Sequence, residues 1–392
     1  MEPLQNPFSP GAGSPPPELA GRQSILERAR ITFGRLKNGR SEKSFLLVGL
    51  RGVGKTVLLN EIYRLAESEG YHAIFIEAHE NRSLASLLIP PLRELLFSLD
   101  RMENLSEKVK RGFRVLKSFL NGIRVKAHDI EFSLDIDPEI GTADSGSLES
   151  DLPSLLVAIA EAAADRKTVI GIVIDELQYL NKTELSALIM AIHRIAQKQL
   201  PLVLIGAGLP QLVGLTGKSK SYAERLFDFP QIGPLQNQDA INALQEPVKT
   251  QGVIFSKDAL QEILQETQGY PYFLQEWGYQ AWNLEEGQNE ISLATVKKAS
   301  IVSVQRLDES FFRVRFDRLT PREKEYLKAI SELNANVHRS GSIADRLGVT
   351  SQSIAPIRNS LIKKGMIYSP SFGYTEFTVP LFDEFIKRVM PA

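Results

Sequence analysis

Along the chain, short apolar runs alternate with longer stretches whose apolar positions recur at helical spacing. Residues 45–48, 72–77, 169–174 and 201–205, with a shorter run near 227–232, read as buried strands. Residues 24–36, 57–69, 84–99, 152–164 and 184–199 read as helices packed on them. Alternation of this kind predicts an α/β core, a parallel sheet with helices on both faces. Residues 236–300 are helical in pattern throughout, and Leu274, Trp277, Gly278 and Ala281 share one face that reads as core. A connecting helix is expected over 304–316.

From Leu319 the pattern changes. Thr320-Pro321-Arg322-Glu323 is a helix start, with a capping hydroxyl, proline at the first position and glutamate at the third. Helices over 342–347 and 351–364, joined by Gly348-Val349-Thr350, are followed by strands at 366–368 and 374–379. Three helices and then a hairpin predict a winged helix-turn-helix. Pro356 is expected to shorten or tilt its second helix-turn-helix element.

Two segments break the pattern. Residues 1–20 are rich in proline and glycine, which predicts a segment that lies extended over the domain or stays mobile. Residues 101–128 hold eight Lys/Arg against Glu103 and Glu107, whereas 129–151 hold eight acidic residues and no basic one. Period-two alternation around the switch suggests a charged hairpin inserted at 121–137, either satisfying itself or offered to a nucleic acid or protein partner. The expected division is therefore 1–20 extended, 21–235 α/β core, 236–300 helical lid, 301–318 connecting helix and 319–392 winged helix.

Composition changes this picture little. At 392 residues, with 43% hydrophobic and 24% charged, the chain has room for two or three globular domains. A net charge of −1 gives no bulk attraction for nucleic acid, so any such surface is a local patch. The absence of cysteine excludes disulfides, thiolate zinc sites and a thiol nucleophile. No apolar run approaches the ~18 residues of a membrane span, and the start lacks a secretory pattern. A cytoplasmic protein without membrane contact is expected.

The chemistry concentrates at two places. Gly49-Leu50-Arg51-Gly52-Val53-Gly54-Lys55-Thr56 follows a strand and opens a helix, the context in which Gly-x4-Gly-Lys-Thr is a phosphate-binding loop. Gly49, Gly52, Val53, Gly54 and Val57 bring backbone N–H groups to a polyphosphate at a helix N-terminus. Lys55 reaches the outer phosphates, and the Thr56 hydroxyl is placed for a magnesium ion. The second place is the apolar strand that ends in Asp175-Glu176. Asp175 is expected to hold magnesium with Thr56, and Glu176 to act as general base on the attacking water. ATP and Mg2+ are the cofactors implied.

Gly21-Arg22-Gln23, the glycine loop, Ile174-Asp175-Glu176, Leu204-Ile205-Gly206-Ala207-Gly208, Arg225-Leu226-Phe227 and Gly269-Tyr270-Pro271-Tyr272-Phe273 together resemble an AAA+-related P-loop ATPase. The resemblance spans 16–392 and lies with the STAND and archaeal-type ATPases, near origin-recognition-type initiators. It implies that Leu19, Arg22, Tyr270 and Pro271 line the nucleotide pocket. It also implies that Arg225 responds to the γ-phosphate, often from a neighbouring subunit; a salt-bridged helix arginine is the equal alternative. Two departures stand out. Gly206-Ala207-Gly208 offers no polar side chain to sense the γ-phosphate, and the lid motif has no arginine beside it. Both point to a slow switch, with Arg51 as a candidate substitute contact.

The tail is +3 from Leu319 onward, by ten Lys/Arg against seven acidic residues. Ser351, Gln352, Arg358 and Asn359, with Lys363, Lys364 and the wing aromatics Phe372 and Tyr374, are candidates for DNA contact through 351–364 and the wing. Protein docking fits the same charge. The expected function is a Mg-dependent, slow ATP-hydrolysing switch coupled to DNA or partner binding, with a homo-oligomer or protein partner as the assembly. The alternatives are a nucleotide-holding scaffold and an ATP-gated transcription regulator.

Overall fold

The computed structural model describes all residues apart from 12, 101–105, 124–135, 288, 334–337 and 392. Helix α1 (Gln23–Lys37) leads into β1 (Ser44–Val48), and the glycine loop then opens α2 (Lys55–Ser68). The core continues as β2 (His72–Glu77), α3 (Leu84–Asp100), α4 (Glu107–Ile123), α5 (Leu148–Asp165), β3 (Ile170–Asp175) and α6 (Lys182–Gln197). It closes with β4 (Leu202–Gly208), α7 (Gln211–Ser219), α8 (Ala223–Leu226) and β5 (Phe227–Asp228). The five strands are parallel in the order β2-β3-β4-β1-β5. β4 separates β1 from β3, so the glycine loop and Asp175 flank the end of β4 at one edge of the sheet.

Strand side chains alternate between two cores, as a period of two requires. Phe45, Leu47, Val173, Val203 and Ile205 pack with Phe33 of α1 and Leu58 of α2. Leu46, Ile170, Ile172, Ile174, Leu202 and Leu204 pack on the opposite face with α3, α5 and α6. Burial on both faces explains why these strands read as unbroken apolar runs.

The charged segment begins as a helix. Asn121 to Ile123 end helix α4, whose Val109, Phe113, Leu116 and Phe119 are buried; the rest of the expected hairpin, 124–135, lies outside the described residues. The basic face of α4 pairs within the fold: Arg111 reaches Glu139 at 3.1 Å and Glu161 at 2.9 Å, and Lys108 reaches Glu161 at 3.3 Å.

Residues 237–306 form α9 (Asn237–Lys249), β6 (Ile254–Phe255), α10 (Lys257–Thr267), α11 (Pro271–Leu284), β7 (Glu290–Ile291) and α12 (Leu293–Arg306). Leu274, Trp277 and Ala281 are fully buried. The N-terminal segment lies against this unit. Phe8 is 3% exposed and fills the space over Gly278, where a Cβ would come within 2.6 Å of its ring. The Trp282 indole donates to Glu2 O at 2.9 Å, and the Asn6 amide to Tyr279 O at 3.0 Å.

α12 runs into a π-helical turn, Leu307–Phe312, and then α13 (Arg313–Phe316). The last unit comprises α14 (Pro321–Ser331), β8 (His338–Arg339), α15 (Ser340–Arg346), α16 (Ser351–Lys363), β9 (Ile367–Tyr368), β10 (Tyr374–Phe377) and α17 (Phe382–Val389). Its strands form an antiparallel sheet in the order β8-β10-β9, the arrangement of a winged helix. Thr320 and Glu323 make a reciprocal capping box. α16 runs through Pro356 from Ser351 to Lys363, so the expected shortening does not occur. The carbonyl left without a donor there belongs to the exposed Gln352, so water can serve it. β8 and α17 carry no turn or capping signal strong enough to have been read from sequence.

Candidate functional site

The glycine loop has the geometry of a phosphate cradle. Gly52 and Gly54 hold φ of +81° and +88°, a region in which only glycine is unstrained. Gly49 is held for a different reason: a Cβ there would lie 2.1 Å from Ile232 O. Lys55 is buried, and its ammonium donates to Gly49 O at 2.9 Å and Leu50 O at 2.8 Å. Burial pushes it down to about 8, against the pull of Glu176 and Asp175.

Across from it, the Thr56 hydroxyl donates to Asp175 Oδ2 at 2.5 Å. Burial raises the Asp175 carboxyl above its ordinary range, partly offset by the Thr56 hydroxyl. Two hard oxygens so close, beside the buried Lys55, fit magnesium, which takes one or two protein oxygens and completes its shell from phosphate and water. Thr56 and Asp175 would hold it.

Glu176 sits just past β3 with φ +54°, ψ +38°, a left-handed conformation costing a non-glycine residue on the order of 1–3 kcal/mol. Its N–H donates to Asp175 Oδ1 at 2.7 Å, and its carboxylate accepts from the Gln178 amide. Gln178 Oε1 in turn accepts from Leu209 N at 3.0 Å, just past β4. This bridge explains the glycines at the end of β4. A Cβ on Gly206 would meet Leu177 at 2.3 Å, and one on Gly208 would meet Gln178 Oε1 at 2.8 Å. Gln178, two residues after the catalytic candidate, thus ties Glu176 to the end of β4; sequence reading passed over it.

These groups open onto a cavity of about 260 Å³. Leu19, Arg22, Val53, Gly54, Lys55, Thr56, Val57, Glu176 and Pro271 all line it. The Arg22 guanidinium donates to Val53 O at 3.2 Å and to Gly233 O at 2.5 Å, and burial pushes it down from its ordinary value. Tyr270 does not line the cavity: it is buried against Phe273, and its neighbour Tyr272 faces the cavity instead. Arg225 is exposed on α8, away from these groups. Ser9, Gly11, Gly13, Ser14 and Pro16 also line the cavity, so the N-terminal segment forms one wall of it.

The winged helix reaches the same loop. The Arg51 N–H donates to Thr378 O at 3.1 Å, and the Arg51 side chain lies by Gly365. That side chain donates to the Tyr179 hydroxyl at 3.1 Å and lies 3.9 Å from Glu176. Of the candidate DNA-contact groups, Arg358 is taken up within the domain, donating to Thr375 Oγ1 at 2.9 Å and Tyr374 O at 2.8 Å. Lys364 pairs with Glu323 at 2.7 Å. Ser351, Gln352, Asn359, Lys363 and Phe372 are exposed, and Tyr374 is half-buried.

Comparison with known proteins places these features in context. A model described as AAA ATPase domain matches residues 18–205, and a domain of unknown function, DUF8462, matches 309–386. A relative described as an uncharacterized HTH-type transcriptional regulator, from Methanocaldococcus jannaschii, is 23% identical over 374 residues, covering 91% of this chain and 85% of the relative. Among solved structures, a Walker-type ATPase of Pyrococcus abyssi is similar with a TM-score of 0.55 at 15% identity, covering 94% of this chain and 96% of that one. Cdc6p of Pyrobaculum aerophilum gives a TM-score of 0.48 at 16% identity, covering 100% and 99%. Among the described residues, no helix is long and apolar enough to cross a membrane.

Proposed function

We propose that the protein is a slow, Mg-dependent ATP-hydrolysing switch whose nucleotide state sets the position of its winged helix, and through it the binding of DNA; the match of residues 18–205 to the AAA ATPase domain supports the ATPase part of this reading. The observation that carries the reading is the hydrogen bond from the Arg51 N–H, inside the phosphate loop, to Thr378 O of the winged helix. A polyphosphate on that loop draws Lys55 from Gly49 O and Leu50 O, next to the residue to which the tail is bonded, so binding and tail position are linked.

In the proposed reaction Lys55 leaves its two loop carbonyls for the outer phosphates. Bound Mg2+ would supply charge neutralisation on the β- and γ-oxygens. Glu176, fixed by the Gln178 amide, takes a proton from the water whose oxygen bonds to the γ-phosphorus; the bond to the β,γ-bridging oxygen breaks, ADP and phosphate leave, and Lys55 stabilises the charge that develops on the transferred group. Slow turnover is supported by the end of β4, where close packing excludes a polar side chain from Gly206. Arg225 enters the scheme only from a second copy, since it faces solvent.

DNA as the target is supported by the winged-helix arrangement and by the regulator described for the Methanocaldococcus relative. A second reading, a nucleotide-held protein-docking module, is favoured by Arg358 and Lys364 being engaged internally. Fluorescence anisotropy of labelled duplexes, titrated with the ATP-loaded and ADP-loaded chain over a salt series, decides between them. DNA binding that differs between nucleotides and weakens steeply with salt supports the switch on DNA. No binding to any duplex at low salt rejects it in favour of docking.

A further inference from the structure

The cavity contains a cation that neither the glycine loop nor the lid supplies. Arg315, on α13, lines it beside Arg51 and Lys55. Its guanidinium lies over the Phe311 ring at 4.1 Å and donates to Phe311 O. Phe311 is itself stacked on Tyr272, at 4.7 Å and 24°, and the Tyr272 N–H donates to Gly52 O at 3.2 Å. The chain of contacts thus runs from the phosphate loop through two aromatic rings to the guanidinium. Among the described residues Arg315 has no carboxylate partner. Burial, with the Arg51 cation next to it, pushes it down to about 10. Three guanidiniums, those of Arg22, Arg51 and Arg315, and the Lys55 ammonium line the cavity against the carboxylates of Glu18 and Glu176, which leaves a local positive excess that an anion would satisfy.

The π-helical turn explains how an interdomain helix delivers this group. A π turn widens the helix and redirects the side chains that follow it, and such turns recur at functional sites. Here one face, Phe311 and Arg315, points into the cavity. The other, Phe312 and Phe316, packs on the winged helix, with Phe312 at 5.3 Å and Phe316 at 5.6 Å from Phe385.

We propose that Arg315 is a phosphate-reading residue, contributed in cis by the connecting helix, that binds the terminal phosphate of a nucleoside triphosphate and so distinguishes it from the diphosphate. The proposal rests on the cavity being a nucleotide site. Because its carrier turn also packs on the winged helix, the phosphate contact bears directly on the tail.

The test is calorimetric titration of the full chain with Mg-ADP and with Mg-β,γ-imido-ATP, for the parent, R315Q and R315K. The parent is expected to prefer the triphosphate analogue. In R315Q its affinity falls about 10- to 100-fold, the range of a charge-assisted bond, while ADP affinity stays within about twofold. R315K keeps charge but lacks the planar fork, and recovers part of the preference. A merely structural arginine would weaken both nucleotides alike, and that result overturns the proposal, as does an unchanged preference in R315Q. Should R315Q not fold, R315K alone decides, since full parental preference there refutes a forked contact. A parent that binds neither nucleotide rejects the nucleotide site itself; a parent that binds both equally rejects only the reading of Arg315.

Discussion

Lys55 is the residue whose chemistry the fold perturbs most usefully. Its ordinary value of 10.5 falls to about 8 through burial, a displacement of about 3 kcal/mol against the charged form. Nucleotide phosphates would restore that charge. Below pH 8 the ammonium is already present, and binding exchanges no proton at this site. Above pH 8 the free protein holds neutral Lys55, and binding must take up a proton. Each pH unit above 8 should therefore weaken Mg-ATP affinity about tenfold, or about 1.4 kcal/mol. The terminal phosphate titrates near about 6, well below this window. Calorimetry in two buffers of different ionisation enthalpy reads the proton directly. Uptake close to zero at pH 7 and rising towards about one at pH 9 is expected. The sign for stability is opposite: the unfolded chain holds the proton more tightly between 8 and 10.5, so the nucleotide-free protein gains stability from Lys55 as pH rises across that window. Affinity that stays flat between pH 7 and 9.5, with no proton uptake, would refute the buried-lysine account.

Other substitutions probe the remaining parts. Glu176→Gln should leave Mg-ATP affinity intact and slow turnover about 100- to 10,000-fold; single-turnover hydrolysis at the parental rate would remove Glu176 as base. Gly206→Ser restores a polar side chain but drives Cβ into Leu177, and is expected to cost about 1–3 kcal/mol in urea denaturation without raising turnover. A faster, fully stable variant would show that the missing sensor, rather than packing, sets this glycine. Phe8→Ala opens the site over Gly278 and should lower unfolding free energy by about 3 kcal/mol; a change below about 0.5 kcal/mol would mean that the N-terminal segment does not dock.

The α/β core was legible because its strands are buried on both faces and therefore stand out as apolar runs. The glycine loop and Asp175-Glu176 were legible because their chemistry demands fixed residue types at fixed spacing. Helix α4 was not, although Val109, Phe113 and Leu116 have helical spacing, because its dense basic residues dominate the local pattern. Its basic residues proved to serve Glu139 and Glu161. Gln178 and Arg315 escaped notice for a different reason. Gln178 is marked only by its second bond, to Leu209 N beyond β4, and Arg315 reaches the cavity only through a π-helical turn. Nor does any local pattern show that a proline-rich segment will wall a cavity: that follows from Phe8 finding the space left by Gly278.

The central claim is that nucleotide state moves the winged helix relative to the phosphate loop. The absence of cysteine allows two labels to be placed cleanly. Ser68→Cys at the end of α2 and Ser371→Cys in the wing are both exposed positions. Spin labels there report the core-to-wing distance by pulsed double-resonance spectroscopy. The account predicts one distance distribution with Mg-ADP and a distinct one with Mg-β,γ-imido-ATP. Identical distributions with both nucleotides, each bound at saturation, would contradict it.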